Sequence, residues 1–181
     1  MYPHKHELIA TAIHANKGEV RGRTYLQKLC FFISKLTGFE LNYYPYLYGP
    51  YSEEVTSAVD DLVTHSVINE AKNPTLAGAG YDRYLYTLHS PDLVERFEAK
   101  QPDQYRKVVE AANRILQTKM ARSTRSLSVG AKVLSILSEQ GRDTGVSQLV
   151  HTAREMGWDI RAEDVADVES SLKALNLIDG N

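Results

Sequence analysis

The chain has 181 residues, 43% hydrophobic and 24% charged, with 21 basic and 23 acidic side chains and a formal net charge of −2. This size suits one domain or two small ones, and the near-neutral balance gives no global pull toward nucleic acid or an anionic membrane. The single cysteine, Cys30, excludes an intrachain disulfide and a cysteine-rich zinc site; within the apolar run 29–33 it reads as a buried small hydrophobe.

No run approaches the ~20 apolar residues of a membrane span and "MYPHKHEL" has no signal-peptide pattern, so a soluble cytoplasmic protein is expected. The charge is unevenly spread. Residues 1–97 carry 9 basic and 11 acidic groups, residues 98–132 carry 8 and 3, and residues 139–181 carry 4 and 9. A basic middle is thus followed by an acidic end.

In chain order, Leu8, Ile9 and Ile13 recur at helical spacing up to Gly18, and Leu26, Leu29, Cys30, Ile33 and Leu36 mark a stronger helix ended by Gly38. The period then changes to two. Leu41, Tyr43, Pro45 and Leu47 point one way and Asn42, Tyr44, Tyr46 and Tyr48 the other, as in an edge strand, which Gly49-Pro50 breaks. Ser52 is an N-cap for a third helix to about His65, with Glu53 and Glu54 at the positive end of its dipole and Val55, Val59, Leu62 and Val63 on its buried face. Two strand-like runs, 67–71 and 81–89, flank a Gly-, Ala- and Pro-rich loop at 72–80.

Ser90-Pro91-Asp92 restarts a helix, and another follows Pro102, with Tyr105, Val108, Val109, Ala112, Ile115 and Leu116 on one side. The polar stretch 120–128 reads as a hinge. Three more helices follow, around Val133–Leu137, across 147–157 and across 162–179; the end of the last, "SLKALNLID", parallels "DLVTHSVIN" at 61–69. The expected fold is mainly α (α+β). A winged-helix-like domain with a small antiparallel sheet occupies 1–99, a basic helical connector 100–126, and a helical, helix-turn-helix-like domain 127–181.

Two stretches carry a family resemblance: Leu26-Gln27-Lys28-Leu29 in the second helix and Tyr48-Gly49-Pro50-Tyr51-Ser52 before the acidic third. Over roughly residues 5–90 the chain resembles a bacterial and archaeal family that includes the YwgA-like proteins and, more distantly, the SocA-like antitoxins. The resemblance implies a winged-helix-like, non-enzymatic protein, some of whose relatives act as toxin-neutralising adaptors that bring a partner to a protease.

Eight of the eleven tyrosines lie between residues 43 and 86. Half of an alternating strand faces inward, so part of this content is core. The outward half, Tyr44, Tyr46 and Tyr48 with Tyr84 and Tyr86 on an opposing strand, reads as an aromatic patch for stacking bases or anchoring a protein. Only Lys72 and Arg83 accompany that sheet, and residues 51–71 have no lysine or arginine but contain Glu53, Glu54, Asp60, Asp61 and Glu70. Five carboxylates oppose a phosphate backbone. A protein partner contacted by Tyr44, Tyr46, Tyr48, Tyr51, Glu53, Glu54 and Asp61 is therefore the first expectation, in an antitoxin or adaptor role.

The second expectation is a DNA-binding regulator using Arg106, Lys107, Arg114, Lys119, Arg122 and Arg125 from the basic stripe, against the bland reading of solvation or pairing with the acidic C-terminal part, in the same chain or a homodimer. Arg21, Arg23, Lys28 and Lys35 form a smaller basic group, with Arg21 and Arg23 placed to cap the second helix. Catalysis has little support. His4, His6 and Glu7 lack a second cluster of metal ligands, adjacent Asp60 and Asp61 point about 100° apart on a helix, and no histidine sits in a nucleophile arrangement. No cofactor and no metal are expected.

Overall fold

The structure, a computed structural model, describes residues 4–72, 84–141 and 144–179. Residues 73–80 of the loop expected at 72–80, and the start of the strand expected at 81–89, with Arg83, lie outside the described residues; Lys72 ends β4. Helices α1 (His4–Ala15), α2 (Arg23–Thr37) and α3 (Glu53–Thr64) are followed by α4 (Asp92–Lys100), α5 (Pro102–Leu116), α6 (Thr124–Gln140), α7 (Val146–Glu155) and α8 (Ala162–Ala174). The strands are β1 (Glu19–Arg21), β2 (Tyr44–Tyr46), β3 (Gly49–Tyr51), β4 (Ile68–Lys72) and β5 (Tyr84–Leu88). The protein is mainly helical, with a three-stranded antiparallel sheet in the order β1-β5-β4 and a separate two-stranded hairpin, β2-β3. β5 sits centrally, pairing Tyr86 with Val20 on one side and Glu70 on the other.

Helix α3 forms where its cap and apolar spacing place it. Ser52 Oγ accepts from the Val55 amide, and Val55, Val59 and Leu62 are buried. The exits of α3 and α8 are alike residue for residue, as the paired sequences suggest. The Val67 amide bonds to Leu62 O and the Leu177 amide to Leu172 O, and Ser66 and Asn176 both take positive φ, 55° and 58°. These 6→1 bonds with a left-handed residue satisfy last-turn carbonyls as in a Schellman closure.

Three expectations change. The run 41–48 is not one strand ended by Gly49-Pro50; those residues form the returning strand β3, joined to β2 through Leu47 and Tyr48. Gly49 at φ +101° allows the reversal, and Pro45 faces Pro50 across the ribbon. A two-stranded ribbon has no neighbour to miss the absent N–H groups. Tyr84 and Tyr86 consequently do not oppose Tyr44 and Tyr46: they belong to the other sheet, where Tyr86 is buried. The stretch 120–128 is a 3-10 turn (Lys119–Arg122) running into α6, because Ser123 Oγ caps the Ser126 amide at 3.1 Å and Met120 is buried. Its polarity is that of a capped first turn.

Helix α5, in the connector expected at 100–126, packs on α1 and α2; α6 packs on α2 and β3, and α8 on α6. Residues such as Leu8, Phe32, Val108, Ile115, Leu134 and Leu172 belong to one buried cluster. Because residues of both expected domains share this cluster, unfolding is expected to be one event. Urea melts followed by Trp158 fluorescence and by far-ultraviolet circular dichroism should coincide; two separated transitions would show that 127–181 unfolds independently.

Candidate interaction surface

The two sequence stretches behind the family resemblance meet in space. Gln27 uses its whole amide on the start of α3: the Ser52 amide donates to Oε1 at 3.1 Å, while Nε2 donates to Ser52 O at 2.9 Å and to Thr56 Oγ1 at 3.0 Å. Beside it, Lys28 Nζ donates to Pro50 O at 2.6 Å. Both side chains come from a stretch of α2, residues 26–34, in which every residue is buried. Lys28 is only 2% exposed, so it is no member of a surface basic group. Burial, and then the nearby charge of Lys132 on α6, push its ammonium down to about 7. Gly49 lies against both lysines; a Cβ there would come within 2.9 Å of Lys132 Cγ and 3.4 Å of Lys28 Cε.

The two arginines of the smaller basic group are also engaged, while Lys35 is exposed with its Nζ 5.4 Å from the Phe31 ring centre. Gly22 takes the N-cap position of α2. Arg23 donates to Tyr86 OH at 2.9 Å and to both carboxylate oxygens of Glu70, and lies over the Tyr84 ring at 3.8 Å; Arg21 pairs with Glu19.

On this clamped base stands the hairpin tip. Tyr44, Tyr46, Leu47 and Tyr48 are 40%, 50%, 67% and 51% exposed, a contiguous run of large apolar side chains facing solvent. Tyr43 and Leu41 turn inward, Tyr43 edge-on to Phe31 at 5.1 Å. The outer rings support one another: Tyr51 lies 5.2 Å from Tyr46 and 5.8 Å from Tyr44. A brace from the far end of the chain completes the base, since buried Trp158 donates from Nε1 to Tyr46 O at 2.7 Å. Trp158 carried no signal in the sequence beyond being the one tryptophan.

The carboxylates divide into two stripes along α3. Glu54 and Asp61, seven residues apart, share one: Asn42 donates to Glu54, and Asp61 receives His6 Nε2 at 3.0 Å. Asp61 is thus about 12 Å along the axis from Glu53 and tied to α1. Glu53 and Asp60 share the outer stripe, where Tyr44 OH donates to Glu53 at 3.2 Å. Asp60 lines a pocket of about 230 Å³ between α2 and α3, with Leu26, Val55 and Val59 as apolar floor and Tyr51 and Arg23 at its sides. The sequence expectation passed over Asp60 as a contact residue; the seven-residue spacing from Glu53 was the available signal.

The basic residues of the middle segment are partly consumed within the chain. Arg125 reaches Asp164 at 3.4 Å, Arg114 donates to Leu175 O at 2.9 Å, and Arg106 pairs with Asp103. Lys107, Lys119 and Arg122 are exposed. Asp164 is held below the usual carboxylate range: its burial works against the charge, but the Arg161 amide and Arg125 outweigh it. Among the described residues no cluster of three or more metal-ligating side chains occurs, and no helix is long and apolar enough to cross a membrane.

Fold and surface together define a mainly α protein with small antiparallel sheets that presents a braced aromatic hairpin. No protein-family model matches the chain. Over 77 residues it is 34% identical to the uncharacterised protein YwgA of Bacillus subtilis (strain 168), which supports the YwgA-like resemblance. That stretch covers 42% of this chain and 45% of YwgA, so the chain spans less than half the length of the curated relative it matches.

Two outcomes follow from the clamp. Replacing Gln27 with Ala leaves the buried Ser52 amide without a partner, while Ser52 O keeps the Thr56 amide at 3.3 Å, and should cost about 1–3 kcal/mol, read from urea midpoints. For Lys28, the unfolded chain keeps a proton up to about 10.5 while the folded chain releases it near 7. Between those values the unfolded state binds more protons, so stability rises with pH. Buried Cys30, pushed up to about 12 from 9.0, opposes this above pH 9. Stability should therefore climb by roughly 2 kcal/mol between pH 7 and 9, and Lys28→Met should flatten the climb; an equal slope in the variant would assign it elsewhere.

Proposed function

We propose that the protein is a non-enzymatic binding module that holds a protein partner through the tip of the β2–β3 hairpin and the outer acidic stripe of α3, as the antitoxin or adaptor of a toxin–antitoxin or phage-defence system. The carrying observation is the contiguous exposure of Tyr44, Tyr46, Leu47 and Tyr48 on a base fixed by Gln27, Lys28 and Trp158. Clustered large apolar side chains on a surface mark interaction sites, and tyrosine is among the residues that dominate binding energy. A pre-ordered tip loses little freedom when it is covered.

In this reading residues 1–99 are a winged-helix-like unit and 127–181 a helix-turn-helix-like one, joined through the basic 100–126 segment, and neither third helix suits a nucleic-acid groove. Helix α3 exposes Glu53, Asp60 and Asp61, and α8 exposes Glu163 and Asp167. Acidic helices favour a basic protein surface. No cofactor enters this role.

The test is capture from native lysate with tagged protein, with and without nuclease, beside the variant Tyr46→Ala/Tyr48→Ala. Both side chains are about half exposed, so the variant should melt within a few degrees of the parent. Expected is one protein enriched regardless of nuclease and lost in the variant. Capture that survives the double substitution, or recovery of nucleic acid that disappears on replacing Lys107, Lys119 and Arg122, would overturn the reading.

A further inference from the structure

We infer that the pocket between α2 and α3 receives an arginine side chain of the protein partner, an inference that rests on the interaction reading above and names its second anchor. At about 230 Å³ the cavity lies below the ~300–1,000 Å³ of drug-sized ligand sites and suits a single long side chain. Its floor of Leu26, Val55 and Val59 is buried and apolar, which matches the aliphatic stem of a basic residue.

Charge selects the occupant. Arg23 at one side is neutralised, since both Glu70 oxygens accept from its Nη2 at 3.2 and 3.1 Å and Tyr86 OH takes its Nε. Asp60 at the mouth is exposed, and its carboxylate has no ion-pair partner among the described residues. Glu53 stands two turns away on the same stripe. With Arg23 already paired to Glu70, an incoming carboxylate or phosphate would meet Asp60 without a spare cation, whereas a guanidinium gains a carboxylate. Arginine is favoured over lysine because its planar head can pair with Asp60 while stacking on Tyr51, whose hydroxyl is fixed to Thr56 Oγ1 at 2.7 Å. Tyr51 also touches Tyr44 and Tyr46, so pocket and hairpin tip form one continuous surface. The partner then carries an apolar patch with an arginine beside it.

The probe is N-acetyl-arginine amide, titrated against protein with labelled Leu and Val methyls, with N-acetyl-norleucine amide and N-acetyl-glutamate amide as controls. Methyl signals of Leu26, Val55 and Val59 should move with the arginine probe alone, saturating in the millimolar range. Asp60→Asn, an exposed substitution that keeps the fold, should weaken this binding about tenfold and should reduce partner capture. Methyls that stay still with the arginine probe, respond equally to norleucine, prefer glutamate, or ignore Asp60→Asn would overturn the pocket assignment. The two readings fail separately. Capture lost in Tyr46→Ala/Tyr48→Ala but intact in Asp60→Asn refutes the arginine pocket and leaves the hairpin interface. Arginine binding that depends on Asp60, with no capture dependent on the tyrosines, leaves the pocket and refutes the interface.

Discussion

Gln27 sits in the most deeply buried stretch of α2, where a primary amide costs free energy unless all its groups are used. It is used fully, because the chain 25 residues on offers it an N–H and a C=O from one residue, Ser52, and a hydroxyl from Thr56. That exchange does what a β-bridge would do, between a helix side chain and a backbone at the point where β3 becomes α3. The same residue, Ser52, caps α3 with its hydroxyl. One backbone position therefore joins helix α2, the hairpin and the start of α3. Lys28 extends the arrangement to Pro50, whose carbonyl would otherwise be buried without a donor.

This dependence explains why the hairpin can be short and yet ordered. A two-stranded ribbon of three residues a side is not stable alone in water. Here each strand is held from outside: β3 by Lys28 at Pro50 and by Gly49 packed on Lys28 and Lys132, its exit by Gln27 at Ser52, and β2 by Trp158. The braces come from α2, from α6 and from the residues after α7, so the tip is positioned by both ends of the chain. Burying Lys28 beside half-buried Lys132 opposes stability, and the release of the Lys28 proton near neutrality relieves that opposition without losing the hydrogen bond, since a neutral amine still donates.

How far the sequence could be read follows from which forces are local. The cap at Ser52, the apolar spacing of α3, α5 and α6, and the matching exits of α3 and α8 are set within a turn or two of chain, and they were legible. The hairpin was not, because alternation over 41–48 reads as a single strand and only the long-range grip on Pro50 and Ser52 shows that Gly49–Tyr51 returns. Lys28 looked like a surface cation because charge is the default reading of lysine. Its neighbours, Leu26, Leu29 and Cys30, were the sign that α2 is covered on every side. Trp158 and Tyr46 lie 112 residues apart, and no periodicity links them.

The distribution of charge then has a structural explanation. The excess of basic residues in 98–132 and of acidic residues in 139–181 looks in the sequence like two surfaces for outside partners. In the fold a share of each is turned on the other, through Arg125 with Asp164 and through Arg114 at the C-terminal carbonyl of Leu175, where a cation also favours the helix dipole of α8. The acidic stripe of α3 receives no such partner from the basic segment. Glu53 and Asp60 stay exposed beside the aromatic tip and the apolar floor of the α2–α3 pocket. Self-pairing thus subtracts from the basic side more than from α3, and the unspent charge lies next to the unspent apolar surface. A surface that combines both is complementary to a partner with basic and apolar groups together, which a nucleic acid backbone is not.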